Sequence, residues 1–201
     1  DEILWRIIRQ APHKKVAVLS VDPSKRKTGG ALLGDRIRMN AASRAQIFMR
    51  SVATRANHAA VSANVRESLN QLKAADFDLI ILETAGIGQS GSEVVDLSDV
   101  SLYVMTPEFG APTQLEKIDM LDYADLVVVN KSDKSGADDA LTYVKKQVQR
   151  NRGDFTSPVG EMPVFGCISS QFGDEGVDQL FARILNELET QRPGEWFEAG
   201  T

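Results

Sequence analysis

Short runs of consecutive apolar residues recur along the chain, separated by longer stretches whose apolar positions come three and four apart. Residues 16–21, 79–82, 100–105 and 126–129 are four to six residues long and nearly continuously apolar, the pattern of strands covered on both faces. Residues 51–54 and 164–168 are two further candidate strands. Helical periodicity runs through 61–72, 140–148 and 177–188, the last with Leu180, Ile184 and Leu188 in one stripe. Strands alternating with helices on this scale predict an α/β fold, three layers around a mostly parallel sheet. The glycines and prolines of 153–163 predict a loop before the last strand. Residues 1–190 read as one domain, and 191–201, with Pro193 and Gly194, as a tail or linker to a following domain.

Composition narrows the choice of partner. The 201 residues suffice for one full core. With 23 Lys+Arg against 28 Asp+Glu the net charge is −5, which lacks the basic footprint of a nucleic-acid binder. No apolar run approaches the roughly 20 residues of a membrane-spanning helix. Neither nucleic acid nor membrane is therefore expected as a partner. The single Cys167 cannot form an internal disulfide and no signal peptide opens the chain, which favours a reducing, cytoplasmic setting. The chain begins at Asp1 already inside an amphipathic helical pattern, with no initiator Met, and reads as N-terminally truncated. His13 and His58 have no metal-ligand spacing, and no Ser/His/Asp or Cys/His set appears.

Ligands of open parallel sheets bind beyond the carboxyl ends of the strands. The residues there are Val21-Asp22-Pro23-Ser24, then Glu83-Thr84-Ala85-Gly86-Ile87-Gly88-Gln89, then Asn130-Lys131-Ser132-Asp133, and finally Ser169-Ser170. Asn130 to Asp133 form an N-K-x-D element. A carboxylate at Asp133 can accept from the N1–H and exocyclic amine of guanine, a donor pair adenine lacks, while the Lys131 stem covers the ring. An ordinary polar strand-to-helix turn fits the same four residues. Glu83, ending a strand before a glycine turn, can hold magnesium while the Gly86 N–H faces a terminal phosphate; a capped turn is the alternative. Asp22 and Asp35 add hard oxygens of the kind magnesium prefers, some acting through water. Ser169 joins the nucleotide-binding candidates from the last strand end. Lys25, Arg26, Lys27 and Arg38 can reach phosphate oxygens or form a solvated face. Gly29 to Gly34 has the glycine spacing of a phosphate loop, but Asp35-Arg36 follows where Lys-Ser/Thr is required.

Taken in order and spacing, Val21 to Ser24, Thr28-Gly29-Gly30, Leu33-Gly34-Asp35-Arg36, Glu83 to Gln89 and Asn130 to Asp133 resemble the GTPases that chaperone cobalamin-dependent acyl-CoA mutases, over about residues 1 to 190. Residues 20–40 and 105–121 are more similar to the G domains built into fused isobutyryl-CoA mutases than to the stand-alone methylmalonyl-CoA mutase chaperone; a split G-protein subunit also fits. The resemblance implies a P-loop NTPase fold of the G-protein type without its first strand and Walker A loop. It implies GTP binding and hydrolysis with Mg2+, gating adenosylcobalamin loading or release. The full-length protein would interconvert isobutyryl-CoA and n-butyryl-CoA in other domains and form a homodimer.

Residue by residue, the resemblance places Asp22, Asp35, Glu83 and Thr84 around magnesium and the phosphates, with the Val21 carbonyl nearby. It makes Arg38 a GTP contact and Asn130 to Asp133 the guanine site. Gln89 falls in the second switch, where it would orient the attacking water, making Gln89 and Glu83 the catalytic candidates. Glu108 to Lys117 fall in an extra switch that senses the mutase. Without a Walker A loop, the 201 residues alone are expected to bind GTP poorly. A nucleotide-incompetent interaction domain and an ATP-using maturation factor of related fold are the alternatives.

Overall fold

The computed structural model describes residues 1–23, 39–54, 58–84, 95–194 and 196. They belong to two compact units, Asp1–Ile87 and Gly88–Thr201. The first contains α1 (Glu2–Gln10), β1 (Val16–Pro23), a 3-10 turn at Asn40–Ser43, β2 (Ile47–Thr54), α2 (His58–Lys73) and β3 (Leu79–Thr84). Its three strands are parallel in the order β2-β1-β3. The central strand explains its own sequence: Val16, Ala17, Val18 and Leu19 are all buried because β1 has a strand on each side and cover on both faces.

Strand β2 starts four residues before the predicted 51–54, and its outer half shows why the apolar-run criterion missed it. Ile47 and Met49 are buried while Phe48 and Arg50 are exposed, the two-residue alternation of an edge strand covered on one face. Phe48 packs on Phe77 with ring centroids 5.7 Å apart. Helix α1 buries Leu4 and Ile7, and the buried Arg6 is paired to Glu2 at 2.8 Å. Asp78 accepts from the Lys15 N–H at 2.7 Å and from Lys14 Nζ at 3.1 Å, tying the start of β1 to that of β3.

The second unit contains β4 (Leu102–Met105), a 3-10 turn at Pro107–Phe109, α3 (Pro112–Leu115), α4 (Met120–Tyr123), β5 (Leu126–Asn130), α5 (Ala137–Arg152), a 3-10 turn at Val159–Glu161, β6 (Val164–Cys167) and α6 (Glu175–Gln191). The sheet is parallel, β4-β5-β6. Val127 and Val129 of β5 pack with Met105, Leu115, Leu121, Val144 and Val148 in its core. The predicted strand 100–105 is shortened to Leu102 because Ser101 is used as a bracket. Its N–H and Oγ both donate to Asp125 Oδ2 at 2.7 Å, and the Asp125 N–H donates back to Ser101 Oγ at 3.0 Å. Helix α5 outruns the predicted 140–148 at both ends, between left-handed Gly136 and Gly153. On α6 the buried face is Val177, Leu180, Phe181 and Leu185, with Ile184 and Leu188 half-buried at its margin. No helix among the described residues is long and apolar enough to cross a membrane.

Candidate functional site

In the second unit the register pairs Asn130 with Cys167, so the loops after β5 and β6 leave the sheet side by side. Two sets of bonds then join them. The Ser169 N–H and Oγ donate to Asn130 Oδ1 at 3.1 and 2.8 Å. The Ser132 N–H donates to the Cys167 carbonyl at 3.0 Å, while Ser132 Oγ donates to the Val129 carbonyl at 2.8 Å. Between them Lys131 sits at φ +60°, a left-handed conformation that costs a non-glycine residue about 1–2 kcal/mol. Gly166 leaves room for this turn, since a Cβ there would meet Ser132 Oγ at 3.0 Å.

The four residues of the tetrapeptide thus divide. The Asn130 Oδ1 and both polar groups of Ser132 hold the loops together, which leaves the Asn130 amide NH2. Lys131 and Asp133 are exposed, and the Asp133 carboxylate has no hydrogen-bond or ion-pair partner among the described residues. Ser169, a nucleotide-binding candidate from the last strand end, is brought to Asn130 directly.

The loop after β6 is closed by Asp174. Its Oδ2 accepts from Ile168 N–H at 3.1 Å and from Val177 N–H at 2.9 Å, the second bond capping α6. Inside it the Gln171 N–H donates to the Ile168 carbonyl at 2.8 Å and Gly173 takes φ +70°. Asp174 was not among the sequence-predicted residues, although an Asp three positions before the first apolar residue of a helical stripe is an N-cap signal. The 107–109 turn lies near the same tetrapeptide. Hydrogen bonds from the Thr106 hydroxyl and from its own N–H hold the Glu108 carboxyl below the usual range, helped by the charges of Lys131 and Lys134.

In the first unit the register sets Ser51, Ser20 and Glu83 in one row across β2, β1 and β3, and Val21 beside Thr84. Val21 and Ser20 are buried, Glu83 and Thr84 half-buried. Ser51 Oγ is buried with no hydrogen-bond partner among the described residues. Asp22, two residues beyond Ser20, pairs with Ala53 through its backbone. Asp1, at the start of α1, lies near the Glu83 and Glu2 carboxylates. Helix α1 therefore begins near Glu83, at the carboxyl end of the sheet, where a helix N-terminus favours anions. Asp35, Arg38, Gly86 and Gln89 lie outside the described residues, as do Lys25, Arg26 and Lys27. An open groove along β6 between α5 and α6, lined by Lys145, Glu161, Phe165 and Arg183, holds none of the predicted site residues.

Parallel sheets flanked by helices, with polar residues at their carboxyl ends, define an open α/β class, and the solved structures similar to the chain agree with the P-loop NTPase fold. The chain is similar to the solved structure of LAO/AO transport system kinase, with a TM-score of 0.62 and 24% identity, covering 97% of this chain and 56% of that one. In sequence it is 50% identical over 196 residues to the fused isobutyryl-CoA mutase of Geobacillus kaustophilus, covering 98% of this chain and 18% of that protein. It is 55% identical over 193 residues to the fused isobutyryl-CoA mutase of Paraburkholderia xenovorans, covering 94% of this chain and 15% of that protein. The chain spans less than a fifth of these curated relatives. The family described as Methylmalonyl Co-A mutase-associated GTPase MeaB matches residues 2–195, and the chain belongs to it.

Proposed function

We propose that this chain binds and hydrolyses GTP as the chaperone domain of a cobalamin-dependent acyl-CoA mutase of the fused isobutyryl-CoA mutase type, acting in the cytoplasm and as a homodimer in the full-length protein. On this reading residues 1–190 form the G domain, 191–201 lead towards a following domain, and hydrolysis gates adenosylcobalamin loading or release. Support for the mutase assignment comes from the family and from the high identity to fused proteins. The observation that carries the guanine assignment is the division of labour in Asn130 to Asp133. Asn130 and Ser132 brace the loops, and the exposed Asp133 carboxylate keeps its acceptors for two donors on the edge of a base.

Glu83, with Asp22, Asp35, Thr84 and the Val21 carbonyl, is assigned to magnesium and the phosphates, an all-oxygen donor set that suits this ion. Bound magnesium neutralises phosphate charge. Arg38 and Gly86 are assigned to phosphate contacts, and Gln89 to orienting water.

The test is Asp133→Asn in the full-length protein. An amide in place of the carboxylate loses two charge-assisted bonds to guanine and gains a donor for the xanthine carbonyl. GTP affinity should fall by roughly tenfold or more while XTP affinity rises, measured by titration. Unchanged affinity for both nucleotides would sink the guanine assignment.

A further inference from the structure

On the sheet that carries Glu83, one polar atom has no use within the protein. Ser51 Oγ, on β2, is buried and has no hydrogen-bond partner among the described residues. Ser51 is in register with Ser20 on β1, and Ser20 with Glu83 on β3, so the three side chains leave one face of the sheet in a single row. Ile47 and Met49, four and two residues before Ser51, share that face and are buried apolar side chains. A third apolar residue at position 51 would extend their stripe and bury nothing polar. A hydroxyl there instead carries the desolvation cost of an unmade bond, which a ligand or ion at the row offsets when it binds.

The chemistry of the row narrows what that ligand is. With β1 between them, the Ser51 and Glu83 backbones stand roughly 10 Å apart by strand spacing. A hydroxyl at one end of such a row and a carboxylate at the other suit an ion that arrives with its water. Magnesium takes one or two carboxylates and keeps several waters, whose protons need acceptors, and a serine Oγ has lone pairs to accept them. We propose that Ser51 is a positioning residue for magnesium at this site, its hydroxyl bonding a water of the hydrated ion that Glu83 holds. The proposal rests on the assignment of Glu83 to magnesium and brings in a residue from the far side of the sheet. It also explains why the apolar stripe of β2 stops at Ser51.

The test uses the full-length protein, with GDP binding titrated at increasing Mg2+ and again in EDTA. Ser51→Ala should raise the Mg2+ concentration needed for half-maximal GDP binding about tenfold, the loss of one bond to a charged group. GDP affinity in EDTA should equal that of wild type. The melting temperature of the nucleotide-free protein should be unchanged or higher in Ser51→Ala, because alanine continues the apolar stripe and breaks no bond. A wild-type Mg2+ requirement, or a loss of GDP affinity equal in Mg2+ and in EDTA, would overturn the role of Ser51. A lowered melting temperature would overturn it too, since the hydroxyl would then be bonded within the protein or to a structural water. If Glu83→Ala keeps the wild-type Mg2+ requirement, the assignment of Glu83 fails and this proposal falls with it.

Discussion

Asn130 and Asp133 belong to one tetrapeptide and do different work. The Asn130 carbonyl oxygen accepts from Ser169 and fixes the position of the loop, its amide NH2 has no hydrogen bond among the described residues, and the Asp133 carboxylate remains exposed. The motif itself was legible because a strand end followed by N-K-x-D is a local pattern. That Ser132 gives its N–H to Cys167 and its hydroxyl to Val129 was not legible, because nothing in the neighbouring residues says where a short hydroxyl will point. Glu83 illustrates the same limit. Its place at a strand end is readable, but its registration with Ser20 and Ser51 depends on strands from distant parts of the chain. Removing its carboxylate should matter chemically. Glu83→Ala in the full-length protein is expected to slow GTP hydrolysis by at least roughly tenfold, and turnover at the wild-type rate would remove Glu83 from the catalytic set.

Among the elements, α6 shows how a helix is fastened to its sheet. A Cβ at Gly176 would lie 1.9 Å from the Gly166 carbonyl oxygen and 3.1 Å from Asp174 Oδ2, so the first turn of α6 packs backbone against backbone on β6. The obstructing atom is main chain and cannot rotate away. Gly176→Ala should therefore cost about 1–3 kcal/mol, as overpacking of a closed contact does. At roughly 2–4 °C per kcal/mol, calorimetry should show the unfolding midpoint of this domain lowered by several degrees; an unshifted midpoint contradicts the close approach. Central strands announced themselves as apolar runs, since burial on both faces removes the need for alternation. The edge strand β2 did not. With one face covered, its apolar positions alternate over Ile47 to Arg50, and a criterion built on runs finds only part of it. Strand β4 was placed two residues too long because Ser101 belongs to the bracket with Asp125.

For the whole molecule, an acidic chain with net charge −5 gives no general attraction for polyanions, so nucleotide binding has to come from local geometry. In the full-length protein, GDP at about a hundredfold over its Kd should stabilise this domain by ~2.7 kcal/mol and raise its melting temperature by roughly 5–10 °C. ATP at the same concentration should give no comparable shift, and equal shifts by the two nucleotides would argue against guanine selectivity. Sequence alone determined the α/β class, the parallel strands and the positions of the strand-end motifs, since each is written in local periodicity and in the residues that follow a buried strand. Tertiary structure decided which polar groups are consumed and which remain exposed. The bonds that decide it, such as Ser169 to Asn130 across 39 residues, join segments that no local pattern relates. Only folding β5 and β6 side by side brings Ser169 to the Asn130 Oδ1 while the Asp133 carboxylate stays exposed.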